Sequence, residues 1–109
     1  MLLSKYLLIS EKFKNHIEVL KGLKQNVLPE GSFLLCVNSS SQNLMDIYSI
    51  KEFERPHVKK DNLLIIAICT NKKDAREKCA NIFGGFVAEH KSLNGFKEKF
   101  CETQDIVGE

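Results

Sequence analysis

The stretch from Leu63 to Phe86 holds the residues that could carry out chemistry, because an apolar run there meets a polar helical pattern. Cys69 ends the apolar run, just before a predicted helix N-terminus, where the helix dipole lowers the pKa of a thiol. A cysteine nucleophile also needs a base, and no histidine lies near Cys69 in the sequence. We therefore interpret Cys69 as a packed, unreactive thiol, and a small enzyme with Cys69 as its nucleophile is the weaker alternative.

Basic residues provide the second candidate chemistry, which is the binding of an anion. Lys72, Lys73 and Arg76 open the predicted helix. Lysines at a helix N-terminus oppose the macrodipole, whereas a phosphate bound there is held by both the backbone amides and the ammonium groups. A second basic set lies upstream in a charged connection and consists of Arg55, His57, Lys59 and Lys60. The candidate anion or nucleic-acid contacts are therefore Arg55, Lys59, Lys60, Lys72, Lys73 and Arg76.

The segment from Asn71 to Arg76, NKKDAR, is similar to the start of the last helix in the double-stranded RNA-binding domain. That family opens the helix with a comparable lysine pair followed by alanine, and the predicted element order α-β-β-β-α also resembles it. The resemblance implies that Lys72, Lys73 and Arg76 contact phosphates across a major groove. The net charge of +2 adds little long-range attraction to a polyanion. Double-stranded RNA binding is therefore the alternative hypothesis rather than the first.

The possible soft metal ligands are spread singly along the chain at Cys36, Cys69, Cys79, Cys101, His16, His57 and His90. A zinc site needs four ligands, which usually come in closely spaced pairs. Glycine-rich phosphate loops open a helix, whereas Gly84 and Gly85 follow one. We predict no metal, no cofactor and no catalytic residue, and an enzymatic activity is the less favoured interpretation.

Length and composition indicate one globular domain. The 109 residues are 43% apolar and 28% charged, which suits a folded domain and excludes disorder. The charge balance is too even for the whole molecule to be attracted to nucleic acid or an anionic membrane. The longest apolar run is far shorter than the roughly 20 residues that span a bilayer, and no cysteine pair has CxxC spacing. We expect a reduced, cytoplasmic protein without a signal peptide or a membrane span.

The first half of the chain predicts a helix followed by a hairpin. Leu2 to Val27 has apolar residues at helical spacing, although Lys5 to Ile9 can also be a short strand with the helix beginning at Ser10. Two short apolar runs, Ser32 to Val37 and Leu44 to Ile50, flank a polar loop. They predict two antiparallel strands.

The second half predicts a buried strand and a helix that covers it. Leu63 to Cys69 is continuously apolar, which indicates a strand buried on both faces. The helix begins after a cap at Thr70 or Asn71, and Gly84-Gly85 can end it. Its predicted buried stripe is Ala75, Cys79, Ile82, Phe83 and Phe86. Its predicted exposed residues are Lys72, Lys73, Arg76, Glu77 and Lys78.

Beyond the glycine pair the pattern leaves two alternatives open. Residues 86–90 can be a returning strand or a continuation of the helix. A short helix is expected over Phe96 to Glu102, and a frayed tail over residues 103–109.

Together these patterns predict a single α+β domain, of mixed α/β character, over residues 1–102. The expected order is a leading helix, an antiparallel hairpin, a buried third strand and a helix packed on the sheet, with an extra strand or short helix at the C-terminus. Because a core is present without a catalytic constellation, we expect a non-catalytic binding or protein-interaction module. Its partner would be another protein or a second copy of the chain, and its surface would include Lys51 to Asn62.

Overall fold

Four strands and four helices form the part of the chain that this computed structural model describes, which is residues 2–38, 42–56, 58 and 63–100. In chain order they are β1 (Leu2–Ile9), α1 (His16–Lys24), β2 (Phe33–Asn38), β3 (Asp46–Ser49), α2 (Ile50–Phe53), β4 (Leu63–Cys69), α3 (Lys72–His90) and α4 (Phe96–Phe100). The α+β class and the single small domain are confirmed.

The strands form one mixed sheet in the order β1-β4-β2-β3. β4 is parallel to β1 and antiparallel to β2, and β2 pairs antiparallel with β3. Every residue of β4 is buried, as expected for a strand with neighbours on both edges and helices on both faces. The predicted hairpin and the predicted buried third strand are therefore confirmed.

A β-bulge interrupts β4 beside β2. Leu35 pairs with Ala67 and the next residue, Cys36, pairs with Ile65, so Ile66 is the extra residue. Ile66 and Ala67 consequently belong to the same apolar cluster, although consecutive residues of a regular strand face opposite sides. On the other edge of β4, the pairing with β1 also shifts register, between Leu3 and Leu8.

Two apolar clusters cover the two faces of the sheet. Alternate residues of β2 divide between them, with Leu34 in the first cluster and Leu35 in the second. The first cluster takes Val19 from α1 and Phe53 from α2, whereas the second takes Phe86 from α3 together with residues of α4. The sheet thus lies between α1 and α2 on one side and α3 and α4 on the other.

The leading element is a strand, so the expectation of a leading helix is wrong and the alternative of a strand over Lys5 to Ile9 is correct. Leu3 and Ile9 pair with residues of β4 and face the first cluster. Because this pairing joins distant parts of the chain, the local spacing of leucines could not reveal it. α1 begins only at His16, where the side chain of Asn15 accepts a hydrogen bond from the amide of Glu18 at 3.2 Å.

α3 runs through the glycine pair and ends at His90, so the predicted stop at Gly84-Gly85 is wrong. Glycine weakens a helix by about 1 kcal/mol relative to alanine. Here the following turn is stabilised by Phe86, which is buried with its ring centroid 5.3 Å from that of Phe96. The helix stops at Lys91, whose φ of 65° is left-handed. Residues 86–90 are helical, and the short C-terminal helix is present as α4. The tail over residues 103–109 lies outside the described part of the chain.

Candidate functional site

A network of ionic and hydroxyl side chains joins the carboxyl ends of the parallel strands β1 and β4 to the start of α3. We call it the polar clamp, and it consists of Ser10, Glu11, Lys12, Thr70, Asp74, Glu77 and Lys78. Asp74 is its fully buried centre. Its carboxylate accepts hydrogen bonds from the amide of Thr70 at 2.9 Å and the hydroxyl of Thr70 at 3.0 Å. Lys78 donates to the other carboxylate oxygen at 3.1 Å.

The clamp also binds the segment after β1 to α3 through charge. Lys78 donates to Glu11 at 3.0 Å, so its ammonium lies between two carboxylates. Lys12 donates to Glu77 at 2.8 Å and lies 3.9 Å from Asp74. The prediction that Lys78 is exposed is therefore wrong. Its ammonium is held in a buried position by the carboxylates of Glu11 and Asp74.

Electrostatics hold the two buried ionisable members of the clamp, Asp74 and Lys78, in their charged forms. Burial opposes ionisation of Asp74, but hydrogen bonds from Ser10, Thr70 and Lys78 outweigh it and hold the pKa of that carboxyl well below its usual range. The hydrogen bond to Glu11, and then the one to Asp74, raises the pKa of Lys78. A general acid or base needs a pKa near the working pH, and these shifts move both groups away from it. The clamp therefore has the properties of a structural connection.

The cysteines lie in settings that disfavour a thiolate. Cys69 is fully buried at the end of β4, and burial, followed by the charge of Asp74, raises its pKa to about 12. Burial also raises the pKa of Cys36 far above its usual value, and that of the half-buried Cys79. The helix dipole expected to activate Cys69 is outweighed by desolvation, which argues against a nucleophile there. Cys101 lies outside the described residues.

The predicted anion contacts are only partly brought together. Lys72, Lys73 and Arg76 are exposed in the first turns of α3, and Arg55 is exposed just after α2. The pKa of Glu52 is lowered mainly by hydrogen bonds with Ser49, and further by the charges of Arg55 and Lys72. Arg55 and Lys72 therefore both act on the carboxylate of Glu52, which gives a surface of mixed charge. Lys59, Lys60 and His57 lie outside the described part of the chain.

An open groove lies between β1, the middle of α3 and α4, with a volume of about 300 Å³. We call it the aromatic groove, and it is lined by Tyr6, Leu8, Asn81, Ile82, Gly85, Phe86, Glu89, Lys99 and Phe100. Tyr6 and Leu8 remain 41% and 37% exposed. The ring of Tyr6 meets that of Phe100 edge to face at 5.8 Å between centroids. The groove thus offers aromatic surface to solvent beside two charged residues.

Two differences from the predicted secondary structure explain how the groove forms and why the sequence patterns did not reveal it. Tyr6 and Leu8 reach it because β1 is a strand, and Phe86 reaches it because α3 continues past Gly85. A Cβ added at Gly85 would meet no heavy atom within 4 Å, so the missing side chain leaves open space rather than relieving a clash. The signal available in the sequence is the spacing of Tyr6 and Leu8, because residues two apart share one face of a strand.

A second cavity of about 390 Å³ lies between the start of β2 and α2. It is lined by Leu28, Glu30, Gly31, Ser32, Phe33, Ser49, Ile50, Lys51 and Glu54. The buried hydroxyl of Ser32 has no hydrogen-bond partner within the described structure. One hydroxyl does not specify a ligand, whereas the aromatic groove combines exposed aromatic rings with the charges of Glu89 and Lys99.

Within residues 2–38, 42–56, 58 and 63–100, no group of three His, Cys, Asp or Glu side chains is arranged to hold a metal ion. None of the helices described is both long and apolar enough to span a membrane. The fold is that of a small α+β protein with a mixed four-stranded sheet. Comparison with known protein families, curated proteins and solved structures found no match.

Proposed function

We propose that this protein is a non-catalytic binding module and that the aromatic groove contacts its partner. The observation that carries the proposal is the exposure of Tyr6 and Leu8 inside a groove of about 300 Å³. Exposed aromatic and apolar side chains gathered in a concave surface are typical of interaction sites. The neighbouring Gly85 keeps this surface accessible at the cost of helix stability.

The ionisable groups support a non-catalytic role. Asp74 and Lys78 are held charged, with pKa shifts directed away from neutrality. Cys69 is buried and its pKa is raised to about 12. General acid-base and nucleophilic catalysis need groups with the opposite properties, so binding is the better use of this surface.

We infer that the groove recognises side chains of its partner rather than pairing with an added strand. β1 is an edge strand, and such strands can accept another strand. However, β1 carries the exposed Lys5, and its pairing with β4 shifts register between Leu3 and Leu8. A lysine and an irregular register are features that protect an edge from strand addition.

The partner that we propose is a segment of another protein met in a reducing compartment. Cys36, Cys69 and Cys79 are free thiols, which supports the cytoplasm as the place of binding. A segment of protein presents apolar and charged side chains together, and the groove lining is complementary to both. A second copy of the chain is the other occupant that the test must distinguish.

Peptide selection tests the proposal directly. A random peptide library displayed on phage would be selected on the wild-type protein, and the enriched peptides titrated against Leu8→Glu and Ile17→Glu. Ile17 is the matched control, because it is 64% exposed and belongs to α1, on the opposite side of the sheet. We expect Leu8→Glu to weaken binding by roughly tenfold or more and Ile17→Glu to leave it unchanged. Failure to enrich any peptide, or equal losses in the two variants, would contradict the proposal.

Light scattering on size-exclusion fractions identifies a second copy as the occupant. A dimer that forms with rising concentration and is dissolved by Leu8→Glu but not by Ile17→Glu would show that the groove binds the chain itself. A monomer in all three proteins leaves a segment of another protein as the occupant.

A further inference from the structure

The ammonium of Lys99 lies among three aromatic rings of the groove. Its Nζ is 5.2 Å from the ring centroid of Tyr6, 5.5 Å from that of Phe100 and 5.8 Å from that of Phe86. These distances lie within the range of cation–π attraction. The rings come from β1, α3 and α4, so the arrangement is produced by the tertiary structure.

The rings are inclined to one another and border the ammonium of Lys99 instead of stacking face to face. Tyr6 and Phe100 are 5.8 Å apart with an angle of 72° between their planes. Phe86 and Phe100 are 6.4 Å apart with an angle of 50°. Several π faces directed toward one point are the arrangement by which proteins recognise organic cations.

The ammonium of Lys99 is held weakly enough for another cation to replace it. Its ammonium makes no salt bridge to any carboxylate of the described residues. By contrast, the ammonium of Lys78 in the polar clamp has two carboxylate partners. Lys99 has a flexible four-carbon stem, so its ammonium can leave the rings and reach solvent without unfolding α4.

The three rings favour a different cation over the lysine that lies among them. A primary ammonium is compact and strongly hydrated, so placing it among rings sacrifices much hydration. A trimethylated ammonium is larger and poorly hydrated, and its methyl groups can contact several rings at once. Glu89, which also lines the groove and lies 3.8 Å from Nε2 of His90, adds a negative charge at its rim.

We propose that Tyr6, Phe86 and Phe100 form a binding cage for a trimethylated ammonium group, and that Lys99 occupies the cage as an internal competitor. The inference deepens the proposed function, because the cage is part of the same groove. It assigns a specific ligand chemistry to the partner: a quaternary ammonium, such as a trimethylated lysine side chain. A cation that binds in the cage must therefore displace Lys99.

The test compares choline with its neutral isostere 3,3-dimethylbutan-1-ol, by titration of the ¹⁵N-labelled protein followed by NMR. Sodium chloride at the same concentration controls for ionic strength. We expect choline to shift the amide signals around the groove saturably, and the neutral alcohol to bind at least roughly threefold more weakly. Equal responses to the two compounds, or no saturable response to choline, would overturn the proposal.

Two lysine variants test the competition. Lys99→Met removes the internal cation and keeps an unbranched stem, so choline should bind roughly fivefold or more tightly to it than to wild type. Lys5→Met is the matched control, since it removes one positive charge near the same groove, where the Nζ of Lys5 lies 6.0 Å from the ring centroid of Tyr6. An affinity gain for Lys99→Met no larger than that for Lys5→Met would overturn the role of Lys99.

A ring variant completes the design and separates this inference from the proposed function. Tyr6→Leu should weaken choline binding by at least roughly threefold, with Phe100→Leu as the substitute if Tyr6→Leu fails to fold. Unchanged choline binding in the folded variant would overturn the cage. If choline fails while selected peptides still depend on Leu8, the groove binds its partner without a cation cage. If choline binds while peptides fail, the cage stands and the proposed protein partner does not.

Discussion

The polar clamp and the aromatic groove each surround a lysine of the second half of the chain, but the ammonium contacts carboxylates in the clamp and aromatic rings in the groove. Lys78 lies 3.0 Å from Glu11 and 3.1 Å from Asp74, and it is buried. Lys99 lies more than 5 Å from three ring centroids and remains partly exposed. A cation with two close carboxylates stabilises the fold, whereas one that lies against ring faces, with no carboxylate partner among the described residues, can be replaced. The difference separates a structural contact from a candidate binding site.

The largest expected effect is on the alkylation rate of Cys69, which is buried beside the polar clamp. With its pKa raised to about 12 and no exposed surface, Cys69 should react with iodoacetamide at pH 8 at least about a thousandfold more slowly than a free thiol. Peptide mapping by mass spectrometry measures the rate at each site. The half-buried Cys79 serves as the internal comparison and should react faster. Labelling of Cys69 at the rate of a free thiol would restore it as a candidate nucleophile.

Removal of the buried charge should break the clamp. Asp74→Asn leaves Lys78 buried with one carboxylate instead of two, and we expect the free energy of unfolding to fall by about 3 kcal/mol. Urea denaturation followed by circular dichroism measures the change. Glu77→Gln is the control, since it removes an exposed ion pair with Lys12 and should have a much smaller effect. Equal losses of unfolding free energy in the two variants would show that the burial of Asp74 adds nothing to stability.

The clamp should also make stability depend on acid pH. The pKa of Asp74 is lower in the folded than in the unfolded protein, so its contribution is complete above the unfolded value, near 4, and is lost as pH falls toward the folded value. We expect wild type to lose more stability than Asp74→Asn between about pH 5 and pH 2. Urea titrations at a series of pH values provide the comparison. Parallel curves for the two proteins would refute this assignment.

Substitution of the glycine pair Gly84-Gly85, beside the aromatic groove, should have a smaller effect on stability. Gly84→Ala and Gly85→Ala should each raise the free energy of unfolding by about 0.5–1 kcal/mol, because neither new Cβ meets a neighbour within 4 Å. Only Gly85 lines the groove, so only Gly85→Ala should also weaken a groove-dependent peptide. Denaturation and peptide titration on the same two proteins measure both effects. A loss of binding in Gly84→Ala alone would place the binding surface elsewhere.

The basic start of α3 gives the smallest expected change. In the exposed pair Lys72 and Lys73, the double change Lys72→Glu, Lys73→Glu gains from the helix dipole but loses the attraction to Glu52 and Glu77. The two effects oppose each other, so stability should change by less than about 0.5 kcal/mol and groove binding should stay intact. The same variant decides the alternative hypothesis. If wild type binds duplex RNA in a salt-sensitive manner and the variant does not, nucleic-acid binding replaces the groove as the leading function.

The sequence predicts those parts of this fold whose burial is evident within one segment. The continuous apolar run of β4 indicates a central strand, and the β2–β3 hairpin follows from two apolar runs with a polar loop between them. The sequence leaves β1 ambiguous because its strand conformation depends on pairing with β4, far along the chain. It predicts too short an α3 because local glycine propensity gives no indication that Phe86 packs against Phe96.

The candidate site was less predictable for the same physical reason. The (i, i+4) spacing of Asp74 and Lys78 is visible in the sequence, but nothing local shows which lysine of α3 turns inward. That choice depends on Glu11, which follows β1. The groove likewise needs Tyr6, Phe86 and Phe100 from three elements, and only the assembled sheet and helices bring them together.

The parallel pairing of β1 with β4 also has a consequence for how the molecule assembles. β2 and β3 are joined by a short connection, whereas Leu2 pairs with Leu64, so β1 must close a much longer loop before it gains any contacts. Contacts between distant segments form late in folding when nearer ones are available. We therefore expect β1 to dock last and to detach first. Tyr6 and Leu8 belong to β1, so the groove loses both residues when β1 detaches. Hydrogen exchange in β1 should therefore report the fraction of molecules whose groove is complete.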